Sequence, residues 1–118
     1  MSGAWTYQKA WKQQRRPQNK YGAVRQIHDD GAFDSKAELR RWCDLKILER
    51  AGEIRNLERQ VRFPIEINGV HVCDYIADFV FFENGVRVVE DKKGVQTDTF
   101  RIKAKLMRAL YNIDVRLT

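Results

Sequence analysis

The chain has 118 residues, 43% apolar and 32% charged, with a formal net charge of +6. That length suits one domain with one core rather than two. No apolar run reaches the roughly 18 residues a membrane-spanning helix needs, and the polar, basic first twenty residues lack the apolar stretch of a secretory signal, so no membrane association and a cytoplasmic protein are expected.

The charge is uneven. Residues 1–30 carry six Lys/Arg against two Asp, residues 91–118 seven against three, and residues 31–90 nine against eleven acids. Basic ends around an acid-containing centre suit a polyanion whose backbone approaches a carboxylate site. Small basic proteins that bind nothing charged are also common, so charge alone does not decide. Cys43 and Cys73 form no paired metal motif, and with only His28 and His71 beside them a structural zinc site is not expected. The expectation is two reduced thiols in or near the core.

Residues 1–30 show no regular period. Trp5, Tyr7, Trp11 and Tyr21 alternate with Lys9, Lys12, Arg15, Arg16 and Lys20, the pattern of a mobile arm that stacks on bases and pairs with phosphates. Packing of some of these aromatics back on the domain is the bland alternative. The domain proper is expected over 31–118. Its first helix starts near Ser35, where Ser35 and Glu38 fit a capping box, and stops at Gly52. Leu39, Trp42, Cys43, Leu45, Ile47, Leu48 and Ala51 surround most of it with apolar side chains, as in a helix buried on more than one side.

Three strands follow. The first covers 54–67, with a break or bend expected at Pro64. Asn68-Gly69 is a hairpin turn, the second strand covers 70–82, Glu83-Asn84-Gly85 turns again, and the third covers 86–91. A second helix over 98–111 has Thr97 as its N-cap and an apolar stripe of Phe100, Ala104, Met107 and Tyr111. A short strand over 113–117 closes the α-β-β-β-α-β order, an α/β (α+β) arrangement.

The chemistry lies in the acids. Asp78 sits inside the apolar run from Tyr75 to Phe82, in or at the edge of the core, where a carboxylate needs a partner, a hydrogen bond or a metal. The adjoining strand runs into Glu90-Asp91-Lys92-Lys93-Gly94. Alternation puts Asp91 and Lys93 on one face and Glu90 and Lys92 on the other, and the hairpin brings one of these pairs beside Asp78. Carboxylates on adjacent strands repel unless a divalent cation lies between them, and their hard oxygens suit Mg²⁺ or Mn²⁺. Glu38 on the first helix faces the same site or serves as a cap. A metal held by such acids neutralises charge on a phosphodiester and activates water, and a lysine orients that water.

These residues carry a resemblance. Lys20-Tyr21-Gly22-Ala23, Phe33-Asp34-Ser35-Lys36-Ala37-Glu38, Tyr75-Ile76-Ala77-Asp78-Phe79 and Val89-Glu90-Asp91-Lys92-Lys93-Gly94 resemble a small phage and prophage family of the PD-(D/E)XK nuclease superfamily, related to Holliday-junction resolvases and RecB-type nucleases. The likeness spans about residues 20–118. It implies a restriction-endonuclease-like core with a central mixed sheet flanked by helices, and a Mg²⁺-dependent DNA endonuclease, Mn²⁺ substituting, selective for branched or structured DNA. It implies Asp78 as the central metal ligand, Asp91 as the second acid, Lys93 as the catalytic lysine because it directly precedes glycine, Glu38 from the helix and the peptide carbonyl of Lys92 as a further ligand. Glu90 and Lys92 satisfy the same pattern as an alternative register. Ala77 stands where the superfamily name has proline.

Arg101, Lys105 and Arg108 line the second helix opposite its apolar stripe, Lys103 lies off both lines, and Gln96 and Thr97 stand at its N-terminus. They are candidate phosphate contacts or an ordinary solvated face. Symmetric cutting of a junction requires a homodimer. The competing readings are a non-catalytic nucleic-acid-binding module that keeps the fold, and a structural or regulatory phage protein that uses the fold for protein contacts.

Overall fold

The computed structural model describes residues 25–118. The aromatic and basic residues of the expected arm, including Lys9, Lys12, Arg15, Arg16 and Lys20, and the Lys20 to Ala23 motif lie outside the described residues. The chain divides into two compact units, 1–36 and 37–118.

In the first unit, β1 (Gln26–His28) pairs antiparallel with β2 (Gly31–Phe33) around Asp29-Asp30. His28 meets the buried Phe33 ring edge-on at 6.2 Å, and its Nδ1 accepts the Asp30 N–H. A regular hairpin therefore begins within a segment read from the sequence as irregular. Strands of three residues are too short to display a period, and the Asp-Asp-Gly turn cluster was the available signal.

The second unit holds α1 (Lys36–Arg50, which begins one residue earlier), β3 (Arg55–Ile67), β4 (Val70–Glu83), β5 (Val86–Asp91), α2 (Asp98–Tyr111) and β6 (Arg116–Leu117). The four strands form one mixed sheet in sequence order. β3, β4 and β5 are antiparallel neighbours, and β6 returns through α2 to lie parallel to β5. Asn68-Gly69 and Asn84-Gly85 both have positive φ at each turn residue, as two-residue hairpins with right-twisted strands require.

Each helix is closed by its own sequence. Gly52 at φ 81 ends α1, its N–H bonding Glu49 O and the next N–H bonding Leu48 O. Thr97 Oγ1 accepts the Phe100 N–H at the start of α2, a cap worth about 1 kcal/mol, and left-handed Asn112 ends it.

The helices cover opposite faces of the sheet. Trp42 of α1 stacks on Phe79 at 6.1 Å, and Arg41 reaches Glu90, the cross-strand partner of Phe79. The next pair along, Val80 and Val89, joins Phe63, Ile65, Tyr75, Ala77, Phe100 and Met107 in the cluster under α2. α1 buries the single stripe Glu38, Trp42 and Leu45, while Ile47 is 62% exposed. The expectation of burial on several sides is thereby corrected: one sheet face can cover only one stripe.

The strands depart from expectation in three places. β3 pairs continuously through Pro64, which sits opposite Asp74. β3 is an edge strand, where a missing N–H leaves no ladder bond unmade. Its irregularities lie instead at Asn56 and Gln60, both with positive φ, and between Ile65 and Glu66. β6 is shorter than expected because Asn112 turns the chain and Ile113 and Val115 pack half-buried against the core cluster. Asp78 lies half-exposed, at the edge of the core. Ala77 and Val80 share the α2 side although three residues apart, so the alternation of β4 slips by one at Asp78.

Candidate functional site

The slip at Asp78 puts its backbone and side chain in different company. The Asp78 N–H donates to Asp91 Oδ1 at 2.8 Å, and Asp78 Oδ2 accepts the Lys92 N–H at 3.0 Å. The ends of β4 and β5 are thus tied together by two carboxylates, each bound to the other strand's backbone. Asp91 is 1% exposed, and its Oδ2 accepts the Tyr75 hydroxyl. Tyr75 is itself buried, its ring 6.3 Å from Phe100 and 6.4 Å from Phe63.

Burial pushes the Asp91 carboxyl up to about 6, against the opposing pull of the Asp78 N–H and of the Lys93 charge. Lys93 follows Asp91 on the α2 side, with its ammonium 4.6 Å from the centre of the Phe100 ring. The Lys93 N–H donates to Thr118 O, and the Thr118 N–H to Asp91 O, so β6 fixes the backbone that carries this pair.

Glu38 enters from α1. It is 5% exposed, and its Oε2 accepts from Gln60 Nε2 at 3.3 Å. The same nitrogen donates to Asp78 Oδ1 at 3.3 Å. One amide therefore joins the helix acid to the strand acid, and Asp78 joins both to Asp91.

Glu90 is the residue the structure sets apart. It is fully buried, and both its oxygens are held by Arg41, at 2.6 Å from Nε and 3.0 Å from Nη2, with Thr118 Oγ1 at 3.4 Å. The bond to Glu90 raises the Arg41 guanidinium pKa still further. This two-pronged pair, on the α1 side of the sheet, joins a fully buried carboxylate to a guanidinium that stays a quarter exposed. Glu90 and Lys92 are therefore not placed as Asp91 and Lys93 are: Glu90 serves Arg41, and Lys92 contributes its backbone N–H to Asp78.

The expected phosphate contacts on α2 have other partners. Arg101 pairs with Asp98, Arg108 with Asp114, and Lys103 donates to Asp74 O at 2.8 Å. The two ion pairs are exposed and worth little. Lys105 and Gln96 are exposed, and Thr97 caps the helix. Cys43 and Cys73 are free, partly buried thiols.

Sequence reasoning missed Gln60, Tyr75 and Arg41. A phenol in an apolar strand needs a hydrogen-bond partner once buried, which was the available signal for Tyr75. Among the described residues no three His, Cys, Asp or Glu side chains converge closely enough to form a metal cage, and no helix is long and apolar enough to cross a membrane.

Comparison with known proteins shows that a family model described as Protein of unknown function (DUF1064) fits residues 18–118. No curated protein and no solved structure matches.

Proposed function

The chain belongs to the DUF1064 family, and we propose that it is a Mg²⁺-dependent endonuclease of the PD-(D/E)XK type that hydrolyses phosphodiester bonds in DNA. The observation that carries this is the pairing of Asp78 with Asp91 at the β4–β5 junction, with Lys93 two residues on and Glu38 linked through Gln60. A four-stranded mixed sheet with a helix on each face supports the restriction-endonuclease-like core.

The residues suit the cation. Mg²⁺ takes one or two carboxylates and completes its shell with water and substrate phosphate, so a cage of three acids is not required. Two of the acids here, Glu38 and Asp91, are nine-tenths or more buried, where a carboxylate gains from a nearby cation. Asp78 and Asp91 would hold it, with Glu38 and the Lys92 carbonyl as further oxygen donors. When bound, Mg²⁺ supplies an activated water and neutralises charge on the phosphate.

The protein's own part is orientation. Tyr75 and the Asp78 N–H fix the Asp91 carboxylate, and β6 fixes the backbone beside it. Lys93 presents a positive charge near Asp91, placed to orient water and oppose charge developing on phosphate. The Asp91/Lys93 register is preferred because Glu90 is already committed to Arg41. A DNA backbone is the substrate, with Lys105, Arg101 and Arg108 as phosphate contacts once DNA competes for the exposed ion pairs. Branched DNA is the form to try first, and a homodimer is the assembly that would cut it symmetrically.

The absence of a three-acid cage among the described residues favours one second reading, a non-catalytic nucleic-acid-binding module. Cleavage of labelled DNA by wild type and Asp78→Asn, with Mg²⁺ or with EDTA, separates the two. Metal-dependent cutting lost in the variant supports the nuclease, and binding without cutting supports the module.

A further inference from the structure

Gln60 has a backbone that its side chain does not explain. Among the described residues every other left-handed position is Asn or Gly, at turns, a helix end or the start of β3. Gln60 lies mid-strand with φ 55, a conformation costing an ordinary side chain about 1–2 kcal/mol.

The effect is to re-aim the strand. Val61 packs with the cluster under α2, whereas the Arg59 guanidinium lies over Trp42 on the α1 side. Regular alternation would put both on one face. β3 thus slips at Gln60, at the level where β4 slips at Asp78, and Arg59 and Val61 remain paired with Phe79 and Ala77. The double slip brings the Gln60 amide to two acids from different elements, Glu38 of α1 and Asp78 of β4. Both contacts, at 3.3 Å, are long and individually weak, so they hold a spacing yet yield to a stronger partner.

We infer that Gln60 is a positioning residue of this site: its amide keeps the Glu38 and Asp78 carboxylates together, against their repulsion, at a spacing that one divalent cation then takes over. This rests on the cation-binding reading of the site. Gln60 touches neither substrate nor water in this role and acts through the two acids.

The test is direct Mn²⁺ binding to the full chain, with free Mn²⁺ followed by its paramagnetic resonance signal and thermal unfolding followed in EDTA. Gln60→Gly removes the amide and suits the left-handed backbone. Gln60→Asn also tolerates that backbone but is one methylene too short to span both acids. The expected result is Mn²⁺ affinity weakened about tenfold or more in both variants, with no fall in the unfolding midpoint of Gln60→Gly. Wild-type affinity in both variants overturns the inference. So does loss of folding in both, which would make Gln60 part of the scaffold. Asp78→Asn distinguishes the two levels: if it abolishes Mn²⁺ binding while the Gln60 variants bind normally, only the role of Gln60 falls. If wild type binds no Mn²⁺, the cation reading falls and Gln60 with it.

Discussion

Asp91 Oδ1 accepts the backbone N–H of Asp78 at 2.8 Å, so the two acids at the centre of the site are locked by a carboxylate-to-backbone bond between neighbouring strands. The bond fixes Asp91 while leaving the Asp78 side chain turned to the half-exposed side, toward Gln60 and Glu38. One acid is thus held in the core and the other faces the open side of the site.

Asp91 should make the metal-free protein pH-sensitive. Its folded carboxyl titrates at about 6, above the roughly 3.9 of an unfolded chain, so the folded state binds this proton more tightly. The stability it contributes is present below about pH 4 and lost as pH rises through about 6. The ceiling on that loss is roughly 3 kcal/mol. Urea unfolding in EDTA should show Asp91→Asn more stable than wild type at pH 7 and nearly equal at pH 4. Equal stability at both values would contradict it.

Glu90 should behave in the opposite way. Glu90→Gln takes the counter-charge from Arg41, whose guanidinium still reaches solvent, and should destabilise the protein by about 1–3 kcal/mol at neutral pH, read by the same urea titration. A change within about 0.5 kcal/mol, the size usual for a surface substitution, would mean that the Arg41–Glu90 pair does not help hold α1 on the sheet.

The two lysines should separate by function. Lys93→Ala should lower the cleavage rate by about 100-fold or more, as removal of a charge-stabilising donor does, because its charge lies beside Asp91. Lys92→Ala keeps the backbone N–H that Asp78 uses and should cost far less. The reverse ranking in single-turnover rates would move the site to Glu90 and Lys92.

Much of the scaffold was legible in the sequence, and the reasons are local. The bounds of β5 and α2 follow from Asn84-Gly85, the Thr97 cap and the stripe through Phe100 and Met107, each a signal confined to a few residues. Asp78, Asp91 and Glu38 stood out as acids in apolar company. What was hidden depends on tertiary structure. A left-handed Gln60 has no mark in sequence, since Gln is not among the residues that favour that backbone. The slip it shares with Asp78 needs two strands to exist. Glu90 and Asp91 are adjacent acids of equal appearance, and only the placement of Arg41 on α1 and Tyr75 on β4 separates them.

The basic N-terminal residues should contribute to affinity rather than to chemistry. Deleting residues 1–20 removes five Lys/Arg and should weaken DNA binding and flatten its dependence on salt, by about 0.9 in the logarithmic slope for each phosphate these residues would otherwise neutralise. Binding isotherms at several salt concentrations read this, and an unchanged slope would mean that these residues do not touch DNA.

The central claim is tested most directly by cleavage of a labelled four-way junction, flap, single strand and plain duplex, each with Mg²⁺, Mn²⁺ or EDTA, by wild type and Asp78→Asn. Asn at 78 keeps an oxygen for the Lys92 N–H, so the fold should stand. The expected result is cutting that requires a divalent ion and is abolished by Asp78→Asn, while DNA binding is retained. Cutting that persists in EDTA or in the variant, or binding with no cutting under any metal, would contradict the assignment.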